Sequence, residues 1–166
     1  MAISTRALVV ANRTADSEGL AEALLRRAAE SDVQFTLLVP ATSTGTGRAA
    51  ARQAAQKQLE AALDRLYDVG LDAEGLVGDP DPVVAVDEIW SPGRFDEVIV
   101  STLSRDTSRW VAYDLPHRIA RLTDCQVTHV VPAEVESELA RARFRRPLRH
   151  APQRALGPFV GPSEQG

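Results

Sequence analysis

Residues 95–131, FDEVIVSTLSRDTSRWVAYDLPHRIARLTDCQVTHVV, hold two short apolar runs separated by a polar loop and a segment of helical periodicity. The spacing predicts a buried strand over 97–101, a polar loop over 102–109, a helix ending near Arg121 and a second strand over 126–131. A continuous β-branched run such as Val98-Ile99-Val100 suits a strand covered on both faces. A helical crossover to a second run of this kind implies parallel strands. Open parallel sheets collect ligands beyond the carboxyl ends of their strands, so residues 101–109 are the first place to expect a site.

The preceding chain repeats the pattern. Residues 7–11 (ALVVA) suit a central strand, followed by a polar turn from Asn12 to Ser17 and a helix with Leu20, Ala23, Leu24 and Ala28 on one face, capped by Ser17 or Asp16. A second strand over 33–39 is stopped by Pro40, and a small polar loop follows that includes Thr42. From Arg48 a long helix carries Ala55, Leu59, Ala62, Leu63 and Leu66 along one stripe, with Gly70 as its stop. Residues 71–77 form a third strand that Gly75 weakens, which places it at a sheet edge. Asp81 caps a third helix with Pro82 in its first position and Val83, Val86 and Ile89 toward the sheet. Five strands alternating with four helices give a doubly wound α/β layer structure with helices on both faces.

Composition narrows the function. With 166 residues, 44% hydrophobic and 25% charged, the chain has material for one ordinary domain. It has no apolar run of the length a transmembrane helix needs and no signal-peptide pattern, so a cytoplasmic location is expected. A net charge of −4 argues against a nucleic-acid surface. Cys125 is the single cysteine, which excludes an intramolecular disulfide and a thiolate metal cluster. His117, His129 and His150 lack metal-ligand spacing, and Ser101 and Ser104 lack a nucleophile elbow. Gly45-Thr46-Gly47-Arg48 lacks the lysine and spacing of a phosphate loop and reads as a linker. Trp110, after the polar loop, serves either the core or the cover of a pocket or of an unidentified protein partner's surface.

Three features in order, a first strand ending in a polar turn, a long second helix, and a Gly78-Asp79-Pro80 turn into the third helix, resemble the universal stress protein family over about residues 5–132. The resemblance implies a five-stranded parallel sheet in the order 3-2-1-4-5, a homodimer through the last strand and, in ATP-binding members, a signature of Gly, two residues, Gly, nine residues, Gly, then Ser or Thr. The spacing fits this chain while the residues do not: Ser101, Ser104 and Asp114 stand in the glycine places and Leu115 in that of the Ser or Thr. Glycine lets backbone N–H groups converge on phosphate, whereas a carboxylate at Asp114 repels it. Asn12 likewise replaces the family's strand-one carboxylate. These departures imply that ATP binding is weak or absent, and no cofactor is expected.

The loop still offers hydroxyls and guanidinium groups suited to a smaller anion. The candidate ligand residues are Asn12, Arg13, Thr42, Ser101, Thr102, Ser104, Arg105, Ser108, Arg109 and Asp114. A solvated loop in which Asp106 and Asp114 neutralise the arginines is the plainer alternative. Val127, His129 and Val131 alternate on the last strand and form the candidate dimer edge. Residues 133–166 read as a tail, with an acidic-then-basic helical segment followed by a Pro/Gly-rich end. The expected function is a non-catalytic regulatory or stress-response protein with an altered nucleotide pocket. An ATP-binding module and a hydrolase of adenylate or phosphate esters are the alternatives.

Overall fold

The computed structural model describes residues 3–42, 45, 47–103 and 114–133. β1 (Thr5–Val10), β2 (Val33–Pro40), β3 (Ala73–Gly78), β4 (Glu97–Ser101) and β5 (Gln126–Val130) pair in parallel in the order β3-β2-β1-β4-β5. The parallel direction is the one the helical crossovers predict, and the order is the one the resemblance implies. β1 and β4 lie inside the sheet, and Ala7 to Val10 and Glu97 to Ser101 are all buried, as unbroken apolar runs require when helices cover both faces.

The described helices are α1 (Glu18–Glu30), α2 (Arg48–Asp68), α3 (Pro82–Ile89) and α4 (Leu115–Thr123). Alternate residues of each strand point to opposite faces and so build two core layers. On one face Ala7, Val9, Leu37, Val39 and Ile99 meet Leu20 and Leu24 of α1 and Leu59, Ala62 and Leu66 of α2. On the other, Leu8, Val10, Leu38, Val98 and Val100 meet Ala85 and Val86 of α3 and Leu115 and Ile119 of α4. Arg27 of α1 is 2.9 Å from Glu97 at the start of β4, giving that buried carboxylate a partner.

Local chemistry sets the helix ends. The Ser17 hydroxyl accepts from the Leu20 N–H at 3.2 Å, and the Asp81 carboxylate accepts from the Val83 N–H at 2.8 Å. α2 closes in a Schellman turn: Gly70, at φ +85°, donates to Tyr67 O at 2.9 Å, and Leu71 donates to Leu66 O at 2.9 Å. Because Leu71 is engaged there, β3 begins at Ala73, two residues later than the sequence spacing predicts. β3 is an edge strand, and a Cβ added at Gly75 would lie 2.5 Å from Leu59 Cδ1, so the glycine also lets α2 approach closely.

The fifth strand departs from its expected form. It ends at Val130, so Val131, which is 43% exposed, lies beyond it ahead of Pro132. Val127, expected on an open edge, is half-buried against the α3/α4 core layer. Gln126, Thr128 and His129 are exposed. The expected helical segment after residue 133 lies outside the described residues.

Candidate crevice at the carboxyl ends of β1 and β4

In this strand order the chain leaves β1 toward β2 on one side and leaves β4 toward β5 on the other, so the connections part between β1 and β4. Such a switch point opens a crevice at the carboxyl ends of the strands. The residues just past β1 and β4 line it.

Asn12 follows β1 and bridges to the chain beyond β2. Its Nδ2 donates to Pro40 O at 3.1 Å and also to Thr42 Oγ1. A carbonyl oxygen only accepts, so the amide is oriented with its nitrogen toward Pro40. Both amide hydrogens are thereby used. Thr42 itself folds back, with its N–H on Pro40 O at 2.9 Å. Arg13, next in the turn, is exposed.

Thr14 and Ser101 close the floor between β1 and β4. Their hydroxyl oxygens are 2.7 Å apart, and the residues are each 1% exposed. The Ser101 side chain, in the place of the signature's first glycine, is thus turned onto Thr14. Thr102 is 2% exposed; its Oγ1 donates to Leu103 O at 2.9 Å and lies 2.6 Å from His129 Nε2. The structure therefore brings Asn12 to Thr42, Ser101 to Thr14, and Thr102 to His129. Sequence reading passed over Thr14, which looks like an ordinary turn residue until burial assigns it a partner, and placed His129 on the dimer edge alone.

Asp114 immediately precedes α4 with φ +52° and ψ +44°, a left-handed conformation that favours glycine. Asp114 stands where the spacing places the signature's third glycine, and its own backbone takes a conformation that favours glycine. The carboxylate is exposed and lies 2.8 Å from His117 Nδ1 on the first turn of α4. Ser104, Arg105, Ser108 and Arg109 lie outside the described residues, as do Trp110 and Tyr113. Among the described residues no group of three or more His, Cys, Asp and Glu side chains is arranged to hold a metal ion, and no described helix is long and apolar enough to cross a membrane.

The amino ends of the strands are held separately. Arg6 of β1 grips Asp96 through Nε at 3.1 Å, Nη2 at 3.0 Å and its backbone N–H at 2.9 Å, and Nη1 also donates to Gly93 O. The side-chain hydrogen bond from Arg6, helped by the backbone N–H, holds the Asp96 carboxyl below its usual range, and the same bond raises the Arg6 guanidinium. An open groove of ≈ 670 Å³ beside this pair is lined by residues that include Asp32, Phe35, Asp72, Glu74 and Arg94. It is at the opposite end of the sheet from the switch point.

No family model and no curated protein matches the sequence. Solved structures match the fold. A universal stress protein from Archaeoglobus fulgidus has a TM-score of 0.56 at 12% identity, covering 76% of this chain and 93% of that one. A universal stress protein solved in complex with cAMP has a TM-score of 0.52 at 19% identity, covering 80% and 100%. A universal stress protein family protein from Arabidopsis thaliana with AMP bound has a TM-score of 0.50 at 16% identity, covering 80% and 94%. Strand order, the helices on both faces and these likenesses agree: the chain has the fold of the universal stress proteins.

Proposed function

We propose that this chain is a non-catalytic regulatory or stress-response protein of the cytoplasm that binds an adenine mononucleotide, or a small anion of similar charge, in the crevice between β1 and β4. The observation that carries this reading is Asp114, a carboxylate in a left-handed turn at the third glycine position of the triphosphate signature. A turn of glycine type keeps the backbone suited to an anion, while the carboxylate adds repulsion that grows with ligand charge. A monophosphate suffers less than a triphosphate. The described crevice side chains of Asn12, Thr14, Thr42, Ser101 and Thr102 are an amide and hydroxyls, and Arg13 in the turn after β1 adds one exposed cation, which suits a ligand of low charge. Two proteins of this fold were solved with cAMP and with AMP.

The non-catalytic part rests on how the hydroxyls are paired. Among the described residues Ser101 is bonded to another hydroxyl and not to a base. Thr102 stands beside a histidine, but its proton is directed to Leu103 O, so the histidine donates and does not act as a base toward it. In this reading residues 1–132 form the ligand domain and 133–166 a separate tail, and two copies pair through β5, an edge of the sheet on whose outer side no described strand pairs.

Calorimetric titration with AMP, cAMP, ATP and inorganic phosphate tests the reading. One AMP or cAMP per subunit, bound more tightly than ATP and recovered unchanged, is the expected result. Tighter binding of ATP, binding of neither an adenine nucleotide nor inorganic phosphate, or turnover of any of the three nucleotides overturns it.

A further inference from the structure

His129 stands on the outermost strand, yet its ring reaches the crevice end of β4. Its Nε2 is 2.6 Å from Oγ1 of Thr102, the first residue after β4, which is 2% exposed. The direction of this bond follows from its neighbour. Thr102 Oγ1 also lies 2.9 Å from Leu103 O, which can only accept, so the single hydroxyl proton points there. Nε2 therefore carries a proton and donates it to Oγ1. A second tie runs beside the first, from Thr102 N–H to Val130 O at 3.0 Å, continuing the register that sets Val100 opposite His129. The chain leaving β4 toward the crevice is held to β5 by side chain and backbone together.

We infer that His129 is a positioning residue for the crevice: its Nε2–H fixes Thr102, and through it the chain leaving β4, to the edge strand. The inference rests on the proposed adenine mononucleotide reading, and it assigns part of the affinity to a residue on the outermost strand. His129 is exposed, so its replacement is compatible with folding, and circular dichroism checks this. Sedimentation of each variant separates an effect on assembly from an effect on Thr102.

The test uses the full chain as wild type, H129A, H129Q, T102V and the H129A/T102V double variant, with AMP as the probe and amide hydrogen exchange as a readout that needs no ligand. H129A is expected to weaken AMP binding by about fivefold to tenfold, the loss of one hydrogen bond. Gln keeps an N–H donor and should restore most of the affinity. In the T102V background H129A should have no further effect, because the bond is already gone. The Thr102 and Leu103 amides should exchange faster in H129A and recover in H129Q. Unchanged exchange at these two amides overturns the inference whether or not AMP binds, and so does unchanged AMP affinity in H129A where the wild type binds. If the wild type binds no AMP while exchange follows the expected pattern, the mononucleotide reading falls and the positioning role stands.

Discussion

The hydroxyl oxygens of Thr14 and Ser101 lie 2.7 Å apart in the buried floor of the crevice, joining the turn after β1 to the last residue of β4. Either single substitution, Thr14→Val or Ser101→Ala, leaves one buried hydroxyl without its partner. Each should cost about 1 to 3 kcal/mol in urea unfolding, and the double variant should lose clearly less than the sum. Fully additive losses would show that the two hydroxyls do not pair.

Asp114 holds a left-handed backbone at φ +52° with no side-chain cap on α4. Replacing it by glycine removes the strain of a Cβ in that region and should raise stability by about 0.5 to 1 kcal/mol. Its contact with His117 is exposed and its loss should matter little. Asp114→Asn keeps a residue that tolerates the turn and removes only the charge. Both variants should raise ATP affinity relative to AMP in calorimetry, with Asn leaving the unfolding midpoint nearly unchanged. An unaltered preference between the two nucleotides would take the carboxylate out of ligand selection.

Acid sensitivity should appear at the amino ends of the strands. The Arg6 hydrogen bonds hold the Asp96 pKa below its unfolded value, so the pair stabilises the protein above the ordinary carboxylate range. That contribution fades as the pH falls through the depressed value. The raised Arg6 pKa acts at the other extreme and leaves the neutral range untouched. Between about pH 5 and pH 2 the wild type should therefore lose stability more steeply than Asp96→Asn. Both side chains are partly exposed, at 39% and 41%, so added salt should shrink the difference. Parallel pH profiles for the two proteins would remove the pair as a source of acid sensitivity.

The proposed dimer predicts a second solution behaviour. Gln126 and Thr128 are exposed on β5, and no strand pairs with its outer side within the described sheet. Glutamate at both positions would set like charges against each other if two copies pair along this edge. Sedimentation velocity should then show the wild type as a dimer and the double substitution as a monomer. An unaltered distribution would move the interface elsewhere.

The site was legible only in part. Asn12, Thr42, Ser101 and Thr102 could be named from the sequence because each ends or follows a run that reads as a strand, and strand ends locate a crevice. Thr14 carries no such mark: in a polar turn it looks solvated, and only the approach of β4 buries it. The half-burial of Val127 is not legible for the converse reason, since alternation along a strand distinguishes two faces and does not say that the α3/α4 layer extends over one of them. The spacing that leads to Asp114 falls on a left-handed residue directly before a helix, a backbone conformation that favours glycine.

What this sequence determined alone is what short-range chemistry controls. β-branched runs made the strands, the Ser17 and Asp81 side chains capped the helices that follow them, and Gly70 ended α2 because it accepts a positive φ. Tertiary structure decided the pairings: Asn12 with Pro40, 28 residues away, Thr102 with His129, 27 away, and Thr14 with Ser101, 87 away. Each depends on strand order and register, which arise when separate core layers pack against a common sheet. A side-chain bond across that sheet has no local signature, because its geometry exists only once the strands are side by side.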